Sequence, residues 1–270
     1  MLLLTYASLA TVDELFLYKK KGFTLPNFPG YTNDQWGIKA HNRPWIEDFG
    51  DFTAGQKIIE VGGGYSLLPK YLSDKYGLEA WIGDDFGMLS GEKMWSRWGD
   101  PLELPARNPS VKYVFEKFGS FSPQYPDANF DRIFSISTLE HISLAKRLDV
   151  FMDMHRCLKP GGRQLHTIDI SLVSLKSILK TAFVDELTKA LPTLLKFESI
   201  KRHTSEIDKW INCIKTSGVD VGISNPSSIQ LLDRRVLIES PDVVYRFYPP
   251  NNSPKPYQPA ASLLIVIERQ

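Results

Sequence analysis

The stretch Ile58-Ile59-Glu60-Val61-Gly62-Gly63-Gly64-Tyr65-Ser66 constrains this chain more than any other. A short apolar run with β-branched residues reads as a buried strand, and three consecutive glycines after it demand a tight turn where backbone can approach a ligand closely. Leu67, Leu68, Tyr71, Leu72 and Tyr76 follow near helical spacing. Strand, glycine turn and helix together make a corner whose first-turn N–H groups face whatever sits beyond the strand end.

The rest of the chain repeats that plan. Strands are predicted at 78–83, 111–116, 132–137 and 164–170. Between the last two, Leu144, Leu148, Phe151, His155 and Leu158 mark one face of a helix that stops at Lys159-Pro160-Gly161-Gly162, a strong termination signal. This alternation argues for an α/β fold with a doubly wound, mostly parallel sheet, whose ligands bind outside the carboxyl ends of the strands. Residues 171–217 read as helices, and Val243–Tyr248 and Ser262–Glu268 as closing strands. Residues 1–50 are too polar and punctuated for an α/β repeat and are predicted to form a helical or irregular cap. Within that cap, prolines, glycine and aromatics from Pro26 to Pro44 suggest irregular backbone covering a pocket, with His41 in it.

Composition narrows the function classes. At 270 residues the chain suits one main domain with embellishments. Its 32 basic and 31 acidic residues leave a formal charge of +1, so no overall field attracts nucleic acid or an anionic membrane. Cys157 and Cys213 lack metal-ligand spacing and no metal site is expected, which suits a reducing compartment. The start, Met1-Leu2-Leu3-Leu4, has no basic n-region, and no apolar run reaches membrane-spanning length. The expectation is a soluble, cytoplasmic protein; the sequence gives no oligomeric state.

Candidate site residues cluster at the predicted strand exits. Asp84 and Asp85 end the second strand of the corner, where a carboxylate accepts hydrogen bonds from ribose hydroxyls in βαβ nucleotide sites. Phe118, after the third, is a candidate for an adenine face or for core. His141, His166 and Asp169 are candidate bases near the fourth and fifth, histidine having a pKa near neutrality. His155 sits on an apolar helix face and reads as packing. A nicotinamide fingerprint, G-x-G-x-x-G, is matched by Gly62 and Gly64 but carries Leu67 in place of the third glycine, which crowds a pyrophosphate. S-adenosylmethionine has an amino acid for Glu60 and the glycine turn, a ribose for Asp84 or Asp85, and no phosphate.

The chain resembles the class I S-adenosylmethionine-dependent methyltransferases, in register from about residue 56 to 170. The resemblance is carried by Glu60-Val61-Gly62-Gly63-Gly64, Ile82-Gly83-Asp84-Asp85-Phe86, Asn129-Phe130-Asp131-Arg132-Ile133, Ser137-Thr138-Leu139-Glu140-His141-Ile142 and Cys157-Leu158-Lys159-Pro160-Gly161-Gly162. It implies a seven-stranded Rossmann-like sheet with a final antiparallel strand inserted, consistent with 262–268, and a methyltransferase domain over 51–270 with 171–217 as a helical substrate-side insertion. It further implies that Glu60, Gly62, Gly63 and Gly64 hold the methionine part, Asp85 the ribose, and Ser137, Thr138 and Leu139 line the cofactor. No Asn/Asp-Pro-Pro-aromatic segment follows the fourth strand, which lowers a nucleic-acid acceptor. The expected function is methylation of a hydroxyl or amine on a small molecule or glycan. A non-catalytic S-adenosylmethionine-fold binding protein and an NAD(P)-dependent oxidoreductase are the alternatives.

Overall fold

The computed structural model describes residues 1–22, 38–87, 98–171, 206–222, 236–237 and 260–270. Among them run the strands β1 (Leu2–Leu9), β2 (Lys57–Val61), β3 (Glu79–Gly83), β4 (Val111–Val114), β5 (Phe130–Ile136), β6 (Leu158–Ser171), β7 (Val219–Val221) and β8 (Ala260–Arg269). The helices are α1 (Val12–Lys21), α2 (Ile38–Gly50), α3 (Leu68–Tyr76), the single turn α4 (Leu104–Arg107) and α5 (Leu144–Cys157). A further helix spans 206–216.

All eight strands share one sheet in the order β4-β3-β2-β5-β6-β8-β1-β7. The pairs β2–β3, β2–β5, β3–β4 and β5–β6 are parallel. Central β2 runs as Lys-Ile-Ile-Glu-Val with Ile58 and Ile59 fully buried, because parallel strands are covered on both faces and need no polar alternation. The carboxyl ends of β2, β3, β5 and β6 therefore lie along one edge, carrying Gly62, Asp84, Ser137 and Asp169 to the same side. β8 inserts antiparallel between β6 and β1, with Arg163 opposite Glu268 and Ser171 opposite Ala260, as expected for the apolar run near the end of the chain.

Two expectations change. Among the described residues the sheet has eight strands rather than seven, because Leu2–Leu9 is a strand antiparallel to β8 and parallel to β7, not part of a helical or irregular cap. Its partner begins at Ala260, so nothing nearby in sequence signals the pairing. Ile38–Gly50 is a regular helix despite Pro44 inside it. An interior proline costs about 3 kcal/mol. Full burial of Ile38, Trp45 and Ile46 offsets this, at about 1.5–3 kcal/mol per large apolar side chain. α1 starts with the reciprocal Thr11–Glu14 capping box and ends at Gly22 in the left-handed region. The expected strand at 243–248 and the helices over 172–205 lie outside the described residues.

Between α5, β5, β6 and the end of helix 206–216 a chain of polar groups crosses the core. Ser135 Oγ lies 2.9 Å from His166 Nδ1, and His166 Nε2 lies 3.2 Å from Gln164 Oε1. Gln164 Nε2 donates to His155 Nδ1 at 2.8 Å, and His155 Nε2 lies 2.9 Å from Ser217 Oγ, which donates to the Ile214 carbonyl at 2.7 Å. Gln164 offers a carbonyl to one ring and an amide to the other, which fixes both histidines as neutral Nε2–H tautomers. Donation then runs in one direction from Ser135 to Ile214. Burial depresses His166 to a pKa of about 3 and His155 to about 4.

Candidate functional site

The glycine corner is rigidly specified. Gly62 adopts φ 66°, and a Cβ there would stand 2.1 Å from the Thr138 methyl, so neither the backbone conformation nor the space admits a side chain. Thr138 Oγ1 donates to the Gly62 and Ile136 carbonyls at 3.2 and 3.3 Å, binding the turn after β2 to the exit of β5. Asp84 braces the same turn from β3: its Oδ2 accepts from the Gly64 N–H at 2.9 Å and its Oδ1 from the Phe86 N–H at 2.7 Å. Both Asp84 oxygens thus serve backbone, and the carboxylate facing a ligand is its neighbour.

Asp85 is 4% exposed. Its Oδ1 accepts from the Gly87 N–H at 3.2 Å, while Oδ2 accepts no hydrogen bond. Lys117 Nζ stands 3.1 Å from that Oδ2, close enough for an ion pair but not aligned to donate. Across the corner, Glu60 is equally buried, and its Oε2 also lacks a partner. Burial pushes its carboxyl up to about 7, against the Ser66 hydroxyl, which hydrogen-bonds it, and the positive charges of Arg43 and Lys39. An unpaired oxygen on a buried carboxylate is costly and marks a place for a donor. Two such oxygens flank the glycine turn, and they fit the amino group and ribose hydroxyls of S-adenosylmethionine.

A second group of side chains stands at the exits of β5 and β6. Ser137, held at φ 48° where few non-glycine residues sit, donates Oγ to Asp169 Oδ1 at 2.7 Å. Lys39 of α2 donates to Asp169 Oδ2 at 3.3 Å. Glu140, in the 3₁₀ turn Leu139–His141, keeps both carboxyl oxygens shielded from solvent, and the backbone N–H groups of Glu140 itself and of Asp169 approach them without good alignment. Burial and, next, the negative charge of Asp169 raise its pKa to about 8, against the pull of Lys39.

The predicted site residues therefore divide. Glu60, Gly62, Gly63, Gly64, Asp84, Asp85, Ser137, Thr138, Leu139 and Asp169 are brought to one edge of the sheet. His166 is not: it is fully buried, and both ring nitrogens are spent on Ser135 and Gln164, so it is a core histidine rather than a base. Phe118 stacks on Tyr125 with ring centroids 4.1 Å apart inside the main core, under Gly83, which removes it from the adenine side. The His141 ring is 80% exposed beside the turn, with Nε2 3.8 Å from Glu140 Oε1. His41 is buried between Glu14, at 3.1 Å, and the ring of Tyr18. Sequence reasoning missed the role of α2, which brings Lys39 and Arg43 over the strand exits, and of Glu140. The available signal for Glu140 was its place one residue before His141 at a strand exit.

Residues 59–165 match a family model described as a methyltransferase domain. The chain is similar to phosphoethanolamine N-methyltransferase 2 of Caenorhabditis elegans, at 26% identity over 184 residues, which is 58% of this chain and 39% of that protein. It is also similar to the phosphoethanolamine N-methyltransferase of Plasmodium falciparum, at 23% identity over 43% of this chain and 40% of that protein. The chain thus spans about two-fifths of the length of these curated relatives. Among solved structures, phosphoethanolamine N-methyltransferase 2 of Haemonchus contortus in complex with S-adenosyl-L-methionine aligns over 86% of this chain and 53% of its own, at 16% identity and a TM-score of 0.40. No helix among the described residues is long and apolar enough to cross a membrane.

Proposed function

We propose that this chain, whose residues 59–165 match the methyltransferase-domain family model, transfers a methyl group from S-adenosylmethionine to a small-molecule acceptor. The observation that carries this reading is the pair of buried carboxyl oxygens, Glu60 Oε2 and Asp85 Oδ2, without hydrogen-bond donors on either side of the glycine turn. Glu60 would receive the amino group and Asp85 the ribose hydroxyls. The Gly62-Gly63-Gly64 backbone and Ser137–Leu139 would line the space between them. S-adenosylmethionine supplies a methyl group on a sulfonium, a leaving group good enough that alignment and exclusion of water are the protein's main tasks. Alignment falls to the corner: Asp84 fixes the Gly64 and Phe86 N–H groups, and Thr138 fixes the Gly62 carbonyl. The acceptor would enter at the β5 and β6 exits, where Asp169, held by Ser137 and Lys39, stands beside Glu140. The phosphoethanolamine methyltransferases similar to this chain support a small, polar acceptor. Calorimetric titration with S-adenosylmethionine, S-adenosylhomocysteine, NAD and NADP tests the cofactor. Binding of the first two alone is expected; binding of a nicotinamide dinucleotide alone would sink the reading.

A further inference from the structure

We propose that Glu140 receives the cationic nitrogen of the acceptor, so that the substrate class of this site is an ammonium compound rather than an alcohol. The inference rests on the methyltransferase reading and narrows it. Glu140 and Asp169 are neighbours in charge but not in partners. Asp169 has Ser137 on one oxygen and Lys39 on the other, so its charge is met within the protein. Glu140 has neither side-chain partner: both oxygens are shielded from solvent, the backbone N–H groups of Glu140 itself and of Asp169 approach them without good alignment, and His141 Nε2 at 3.8 Å from Oε1 is too far to donate. Lys39 is engaged by Asp169, and Arg147, a second cation near the turn, is turned to its backbone, with guanidinium nitrogens on the Ile142 carbonyl at 3.0 Å and the Glu140 carbonyl at 3.4 Å.

That backbone grip also makes the position stable. Arg147 lies 3.9 Å over the Trp210 ring, so helix 206–216, the Glu140 turn and the start of α5 are fastened together. Arg147 thus fixes the backbone from which the Glu140 carboxyl projects. Glu140 stands two residues after Thr138, whose hydroxyl touches the Gly62 carbonyl, and so belongs to the turn that packs on the glycine corner. A buried carboxylate without a donor is costly unless it is neutral or meets a cation. An ammonium group brings three N–H donors and the missing charge; a hydroxyl brings one donor and none. Burial and Asp169 raise the carboxyl's proton affinity, which suits the complementary step. A proton of the bound ammonium passes to the Glu140 carboxylate, and the nitrogen keeps the electron pair of that N–H bond as a lone pair.

The test is made by calorimetry on the full chain saturated with S-adenosylhomocysteine, at pH 8.5. The probes are ethanolamine and phosphoethanolamine, each compared with the molecule that has a hydroxyl in place of the ammonium. At least one ammonium probe is expected to bind about tenfold or more tighter than its hydroxyl counterpart, and Glu140→Gln is expected to erase that preference while leaving S-adenosylhomocysteine affinity within about threefold. No preference in the wild type, whether both probes bind or neither does, overturns the proposal, as does an unchanged preference in E140Q. Absence of S-adenosylhomocysteine binding to the wild type would instead remove the methyltransferase reading, and the proposal with it.

Discussion

β6 carries two polar clusters only a few residues apart, and they are built on opposite rules. Gln164 and His166 belong to the core chain from Ser135 to Ser217, in which every side-chain nitrogen and oxygen has a partner and both histidines are locked in one tautomer. Asp169, at the exit of the same strand, borders a group in which Glu60, Asp85 and Glu140 all retain oxygens with no well-aligned donor among the described residues. A buried network with complete pairing specifies shape, whereas one left incomplete is stable only at a cost that a ligand can relieve. The difference distinguishes these two clusters where residue type does not. By type alone, His166 looks more like a catalyst than Glu140.

The largest effects should follow from breaking the complete network. His166→Ala removes a fully buried ring and leaves Ser135 Oγ and Gln164 Oε1 without their partner, so urea unfolding should show a loss of about 3–5 kcal/mol. The same network sets an acid limit. Both histidine pKa values are depressed on folding, so their contribution is fully present above about 6.5, the unfolded value. It is lost as pH falls through about 4 for His155 and about 3 for His166. Wild-type stability should decline below pH 6.5 by these two protonations, and a Gln164→Leu variant, already lacking the fixed tautomers, should decline less steeply from a lower starting point.

Breaking the incomplete network should cost function and spare the fold. The Glu60 carboxyl is raised on folding, so its contribution is present below about 4.5 and lost as pH rises through about 7. Glu60→Gln avoids that loss. Its ligand-free form at pH 8 should unfold at a urea concentration equal to or above the wild type's, while S-adenosylhomocysteine affinity falls about tenfold or more, roughly 1.4 kcal/mol. A fall in both stability and affinity would show that Glu60 belongs with the core network instead. Neighbouring aspartates sharpen the same contrast. Asp84→Ala strips two backbone N–H groups of their acceptor and should cost about 2 kcal/mol of stability. Asp85→Ala should cost less than about 1 kcal/mol of stability and about tenfold in S-adenosylhomocysteine affinity.

Much of this edge was legible in the sequence because it is written locally. Glu60 to Gly64, Asp84-Asp85 and Ser137 to Leu139 each follow an apolar strand directly, so strand period and turn chemistry place them without tertiary information. What escaped depends on distant partners. β1 pairs with a strand some 260 residues away, and α2 reads as irregular because Pro44 masks a helix that only burial of Trp45 and Ile46 supports. His166 misled for a related reason. Its strand is covered on both faces, so alternation does not say which way the ring points, and its partner Gln164 is recognisable only once His155 is brought alongside.

The smallest effect concerns Lys117, whose ammonium meets the unsatisfied Asp85 oxygen from outside. Its side chain is 55% exposed while that of Asp85 is 5% exposed, so the lysine is solvated and the pair is worth under about 1 kcal/mol. If Asp85 receives the ribose as proposed, the ion pair and a ribose hydroxyl compete for the same oxygen. Lys117→Ala should therefore leave stability within about 0.5 kcal/mol and change S-adenosylhomocysteine affinity by less than about threefold, with any change a strengthening at low salt that fades by about 0.15 M as screening weakens the pair in the wild type. A tenfold weakening would place Lys117 among the ligand's own contacts and move Asp85 from the incomplete network to the complete one, with the lysine as its partner.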